Sequence, residues 1–91
     1  MNKQLALNIS GRVQGVHFRV YAQIQAQNLG LTGYVKNEDD GTITIIAQGD
    51  KEKLNSFFEW AKHGSKMAYV KTIRMQWQEI ARQFKDFSIK Y

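Results

Sequence analysis

Nine consecutive residues, Gly11-Arg12-Val13-Gln14-Gly15-Val16-His17-Phe18-Arg19, carry the clearest chemical signal in the chain. They leave an alternating apolar segment and enter a helical one. A glycine loop that runs into a helix N-terminus presents backbone N–H groups without intrahelical acceptors, and these groups and the helix dipole attract an anion. Between Val16 and Phe18, where the N-cap should fall, no Ser, Thr, Asp or Asn stands ready to occupy the amides. The open amides around Val16 to Phe18 form a candidate cradle. Arg19 stands at its mouth with a planar, permanently charged fork that suits phosphate oxygens. A surface salt bridge is the competing use of that side chain. The second segment is Tyr34-Val35-Lys36-Asn37. The amide of Asn37 offers one donor group and one acceptor, enough to orient a water molecule. Ordinary turn chemistry beside Asp39-Asp40-Gly41 is the competing reading there.

The elements that must position these residues are legible as periodicities. Leu5, Leu7 and Ile9 alternate with Ala6, Asn8 and Ser10, the pattern of a strand with one buried face. From Phe18 to Leu29 the apolar residues Phe18, Tyr21, Ala22, Ala26 and Leu29 recur at helical spacing, and Gly30 is a natural stop. Thr32–Lys36 reads as a second strand, and Asp40-Gly41 as a hairpin turn supplying positive φ angles. A third strand carries Ile43, Ile45 and Ala47 on one face. A second helix follows, with Asp50 as N-cap and a core stripe of Leu54, Phe57, Phe58 and Ala61, ending at Gly64. Ile73, Met75 and Trp77 alternate in a fourth strand, and Phe87–Tyr91 forms a short last one. Strand, helix, strand, strand, helix, strand, with an extra terminal strand, predicts an α+β fold. The expected form is a ferredoxin-like split βαβ sandwich, a mostly antiparallel sheet with two helices on one face, in a single domain over residues 1–91. In that layout strands one and two run parallel with strand three between them, so their C-terminal ends share a rim about 10 Å apart. Arg19 and Asn37 then meet at one edge of the sheet. A cradle, an arginine and an asparagine make a site for a phosphate and a water, with no evident acid or base between them.

Composition removes several alternatives. The chain has 91 residues, no cysteine and no proline, and 43% of it is apolar. It has no disulfide framework, thiolate metal site or cysteine nucleophile. No apolar run approaches the ~20 residues that span a bilayer, and Met1-Asn2-Lys3-Gln4-Leu5 lacks the apolar core of a signal peptide. The expected compartment is the cytoplasm. Thirteen basic and eight acidic side chains give a net charge of +5, spread from Lys3 to Lys90 without a polybasic block. That favours an anionic partner but not a nucleic-acid arm or a membrane anchor.

The two segments resemble the signature of the acylphosphatase family. Gly11 to Arg19 matches the family pattern Gly-x-Val-Gln-Gly-Val-x-Phe-Arg at every fixed position. Gly33 to Asn37 matches Gly-(Trp/Tyr)-Val-(Lys/Arg)-Asn and is followed by the turn at Asp40-Gly41. The stretch after Gly49-Asp50 and the final Phe87-Ser88-Ile89 are also similar, so the resemblance covers essentially the whole chain. It implies hydrolysis of the carboxyl–phosphate anhydride of an acyl phosphate to a carboxylate and inorganic phosphate. By carry-over, Arg19 and the backbone N–H groups of Gly15–Arg19 would bind the phosphoryl group, and Asn37 would orient the attacking water. The implied partner is a small-molecule acyl phosphate, with no cofactor, no metal, no nucleic acid and no membrane, and the chain is expected to act as a monomer.

Other polar residues have plainer readings. His17 occupies a variable position of the signature. His63 lies near a helix C-terminus, where a cation or a carbonyl-bonding role is the default. Glu38, Asp39 and Asp40 read as a solvated turn and fit no calcium-loop spacing. Lys36 should point to the sheet face opposite Asn37. Relatives often carry proline between the glycine and the alanine of Gly64-Ser65-Lys66-Met67-Ala68, so the rigidity of this loop is in question. Two rival functions remain. A phosphate-binding module without turnover would use the same cradle. An RNA-binding domain of the same topology would need aromatics on the central strands, and Thr42–Ala47 has none.

Overall fold

The computed structural model describes residues 2–91. The elements are β1 (Asn2–Arg12), α1 (Phe18–Asn28), β2 (Thr32–Asn37), β3 (Ile43–Asp50), α2 (Lys51–Ala61), β4 (Tyr69–Gln78) and β5 (Phe87–Lys90). The strands form one sheet in the order β4-β1-β3-β2-β5. β3 is antiparallel to both β1 and β2, so β1 and β2 are parallel to each other and flank it, as the α+β ferredoxin-like layout requires. β5 is the exception to the antiparallel pattern. It pairs parallel with β2, from Gly33↔Phe87 to Lys36↔Lys90, and so ends on the rim where β2 ends.

Period-two burial builds the core. Leu5, Leu7 and Ile9 of β1, Val35 of β2, and Ile43, Ile45 and Ala47 of β3 are buried. They form one cluster with Phe18, Ala22 and Ala26 of α1 and with Leu54, Phe57 and Ala61 of α2. Tyr21, expected on the packed face of α1, is 51% exposed. It precedes Ala22 by one residue, about 100° of helix rotation, and the stripe that meets the sheet is Phe18, Ala22 and Ala26. On β4, Ile73, Met75 and Trp77 face the helix side, opposite Ile9, Leu7 and Leu5. They lie at the sheet edge, and Met75 and Trp77 remain exposed.

The opposite face carries a polar ladder. Gln48, buried in β3, donates to Gln4 Oε1 at 2.7 Å and to the Arg82 carbonyl at 2.6 Å, and accepts from the Phe84 N–H at 3.1 Å. These bonds draw the β4–β5 connection across the sheet, where the Phe84 ring meets Tyr34 edge-on.

Two turn details depart from the sequence expectation. Of Asp40 and Gly41, only Gly41 takes a positive φ, +91°. The hairpin closes as a three-residue loop, Asp39-Asp40-Gly41, with the Glu38 N–H on the Thr42 carbonyl at 2.8 Å and the Gly41 N–H on the Glu38 carbonyl at 3.2 Å. This geometry needs one left-handed residue rather than two. Asp50 does occupy the N-cap of α2, but its carboxylate makes no capping hydrogen bond. It stays exposed, and with Glu52 it acts on the helix only through the dipole.

Candidate active site

β1 ends at Arg12, and the chain must then reverse into α1 over five residues. Gly15 has φ +77° and His17 has φ +63°, and His17 is the only non-glycine residue with positive φ among the described residues. Positive and negative φ therefore alternate from Gly15 to Phe18. Such alternation turns successive N–H groups to one side and makes a concave anion-binding nest. A left-handed non-glycine residue costs about 1–2 kcal/mol, so strain is stored at His17, the N-cap of α1, which has no side-chain capping bond. Among the described residues, no backbone carbonyl accepts from the N–H groups of Gly15, Val16, His17, Phe18 or Arg19.

Three side chains hold the loop in place by long-range contacts. The Gln14 amide donates to the Glu38 carbonyl at 2.8 Å and to the Thr42 carbonyl at 2.9 Å, tying the loop to the β2–β3 hairpin. Phe18 is buried against Trp60, with ring centroids 5.4 Å apart. The Ser65 hydroxyl, buried in the α2–β4 loop, donates to the Val16 carbonyl at 2.7 Å. Gly64 lets that loop approach, since a Cβ there would meet the Phe18 ring at 2.3 Å. The doubt about this loop's rigidity is thus answered by a hydrogen bond and a close contact in place of proline.

Val13, Gly15, His17, Phe18, Arg19, Val20 and Asn37 line one cavity of about 190 Å³. The liquid-water volume is about 30 Å³ per molecule, so the cavity can take a small ligand and a water. Arg19 is half-buried. Its Nη1 donates to the Lys90 carbonyl at 3.2 Å, and its Cζ lies 4.9 Å from the centroid of the Tyr91 ring. No carboxylate pairs with it: the ion pair among the described residues is Lys62–Glu59, at 2.9 Å. The competing salt-bridge reading of Arg19 is not realised, and its charge faces the cavity without a neutralising partner. Asn37 is the last residue of β2 and not part of the turn. Its Oδ1 is buried and has no hydrogen-bond partner among the described residues. An unpaired buried acceptor costs about 1–3 kcal/mol, so this atom is set to receive a donor from whatever enters.

The remaining titratable groups stand apart. His63 is exposed, and only its backbone N–H is used, on the Trp60 carbonyl. Asp40 accepts from the Thr42 N–H at 3.0 Å and from the Thr42 hydroxyl at 2.6 Å. The Thr42 hydroxyl and N–H hold its carboxyl below the ordinary value of 3.8. Larger depressions, of about 360 Å³ beside Lys3, Lys51 and Trp77 and about 430 Å³ along the α2–β4 loop, contain neither strained backbone nor an orphaned acceptor. The smaller cavity is where the strained backbone, the arginine without a carboxylate partner and the orphaned acceptor meet. Sequence reasoning did not find Gln14, Ser65, Lys90 or Tyr91 as parts of this site. Gln14 does stand at a fixed position of the signature, while Lys90 and Tyr91 reach the rim because β5 pairs beside β2.

A family model described as acylphosphatase matches residues 5–89. An acylphosphatase of Aliivibrio fischeri is 41% identical over 81 residues, covering 86% of this chain and 90% of that protein. One from Caldanaerobacter subterraneus is 38% identical over 89 residues, covering 98% and 99%. The crystal structure of acylphosphatase from Bacillus subtilis superposes with a TM-score of 0.94 at 40% identity, covering 100% of both chains.

Proposed function

The chain belongs to the acylphosphatase family, hydrolases of the carboxyl–phosphate anhydride, and from that premise we propose that the cavity between the β1–α1 loop and the end of β2 is its catalytic site. The observation that carries this reading is the orphaned Oδ1 of Asn37, which lines the same cavity as an arginine without a carboxylate partner. The amides of Gly15–Arg19 surround the phosphoryl oxygens, and the Arg19 fork neutralises their charge. The Asn37 oxygen accepts a hydrogen bond from the attacking water and points its lone pair at phosphorus. The new P–O bond forms as the bond from phosphorus to the carboxyl oxygen breaks, and the carboxylate leaves with the electron pair. Phosphoryl transfer depends on in-line placement and charge stabilisation more than on covalent help from the protein. A carboxylate is a good leaving group, so the reaction needs no general acid from the cavity lining. The water's proton passes to a phosphoryl oxygen of the substrate.

The enzyme acts as a single-domain monomer in the cytoplasm. One continuous core and a site drawn from one chain support the first statement. No helix among the described residues is long and apolar enough to cross a membrane. The RNA-binding alternative needs free aromatics on the sheet face, but Tyr34 is covered by Phe84 and by the Lys90 ammonium, 4.1 Å from its ring centroid. Purified protein with acetyl phosphate and excess chelator tests the whole reading. Steady release of inorganic phosphate is expected. Binding of phosphate without release would identify a non-catalytic anion module.

A further inference from the structure

Ser65 is one of two buried polar residues outside the cavity lining, and it spends its hydroxyl on the backbone of the cradle. We propose that Ser65 is a positioning residue that locks the Val16–His17 peptide in its anion-binding orientation, an inference that rests on the cradle reading above.

The peptide unit is planar and trans, so the Val16 carbonyl and the His17 N–H point in opposite directions. Fixing the carbonyl on Ser65 therefore fixes the direction of the His17 N–H. In a regular helix start the Val16 carbonyl would instead accept from the Val20 N–H, four residues on. That bond is not made, whereas the next one, Tyr21 N–H to the His17 carbonyl at 3.2 Å, is. Ser65 takes the acceptor that would otherwise draw the chain into the helix. The strained residue is the one adjoining this bond: His17 has φ +63° and ψ +22°. Rotating the Val16–His17 peptide would relieve that φ and turn the amide out of the cradle. Without an anion, the Ser65 bond is the visible force against this rotation.

Ser65 itself is held. The Ala68 N–H closes a turn on the Ser65 carbonyl at 3.0 Å, and the Gly64 N–H bonds the Trp60 carbonyl at 2.9 Å. The lock thus runs from the end of α2 through the loop to the cradle. When a ligand binds only the locked state, its apparent dissociation constant rises as the locked fraction falls. A bound phosphoryl group restores the orientation by its own contacts, so turnover at saturation is preserved.

The test is the competitive inhibition constant of inorganic phosphate, with KM and kcat for acetyl phosphate, in Ser65→Ala, Ser65→Thr and His17→Gly backgrounds. One net hydrogen bond corresponds to about a five-fold change. Ser65→Ala should raise the inhibition constant and KM by about that factor, with kcat within about two-fold. Ser65→Thr, which keeps the hydroxyl, should restore both. With His17→Gly, the effect of Ser65→Ala should shrink to less than about two-fold, because glycine holds a positive φ unaided. A loop brace without this role would give the same loss in both backgrounds, and that result overturns the lock. So does a fall in kcat at unchanged KM, or a Ser65→Thr variant as weak as Ser65→Ala. Wild-type protein on which phosphate does not compete at all would instead overturn the cradle reading.

Discussion

In the proposed site, Arg19 and Asn37 divide the work by chemistry. The guanidinium supplies charge in a fixed plane and rests on the Lys90 carbonyl and the Tyr91 ring, so its fork is aimed before substrate arrives. Arg19→Lys keeps the charge but loses the fork and the stacking. Charge-assisted hydrogen bonds are worth about 1.5–3 kcal/mol, so steady-state kinetics should show phosphate binding weakened by roughly 10–100-fold. At Gly15, where φ is +77° and a Cβ would meet nothing within 4 Å, substitution is opposed by backbone conformation alone. Gly15→Ala should cost about 1–2 kcal/mol of stability by chemical denaturation without any clash. Asp40 gives a pH-dependent test. Its carboxyl is held below 3.8 by the Thr42 hydroxyl and N–H, so its ionised form stabilises the folded state. That contribution is complete above pH 3.8 and is lost as pH falls through the lower folded value. Acid titration of stability should show wild type above Asp40→Asn at neutral pH, with the gap closing below the ordinary carboxyl range.

At the scale of elements, the site exists because two connections are stapled together. Gln14 reaches from the β1–α1 loop to both carbonyls that flank the hairpin, Glu38 and Thr42. The hairpin keeps its own Glu38–Thr42 bond, so Gln14→Ala should leave the sheet intact and loosen the two halves of the site. Two lost hydrogen bonds amount to about 1–3 kcal/mol. A drop in kcat larger than the loss in thermal stability explains is the expected kinetic sign of misplaced Asn37. The two lining segments were legible in the sequence because both follow strand signals: the alternation of Leu5-Leu7-Ile9 leads into one, and the Thr32–Lys36 run ahead of the Asp40-Gly41 turn leads into the other. Gln14, Ser65 and Lys90 were not legible as partners. Their contacts span 24, 49 and 71 residues, and such pairings leave no local period. The hairpin shows the opposite failure. Asp40-Gly41 is a true turn signal, but whether one residue or two adopts positive φ depends on the register of Asn37↔Ile43, which composition does not encode.

For the molecule as a whole, stability and catalysis draw on different residues. Phe57 is fully buried, stacks on Trp60 at 5.8 Å and meets Phe87 at 6.0 Å, yet it does not line the cavity. Phe57→Ala should cost about 3–5 kcal/mol. At roughly 4 °C or more per kcal/mol for a chain of this size, the melting temperature should fall by more than about 10 °C. Inorganic phosphate should raise the melting temperature of wild type and of Phe57→Ala alike, because ligand linkage acts on the folded state each retains. The basic surface is secondary: a net charge of +5 draws anions in, whereas the proposed selection of the phosphoryl group falls to one arginine and a row of uncharged amides. The central claim is that binding and water placement are separate tasks, and Asn37→Ala measures it most directly. Removing one preorganised polar group from such a site costs about 10²–10³ in kcat. The expected result is a loss of that order for acetyl phosphate, with the inhibition constant of inorganic phosphate within about three-fold of wild type. An Asn37→Ala enzyme with undiminished kcat, or one that has lost phosphate binding along with turnover, would contradict the account.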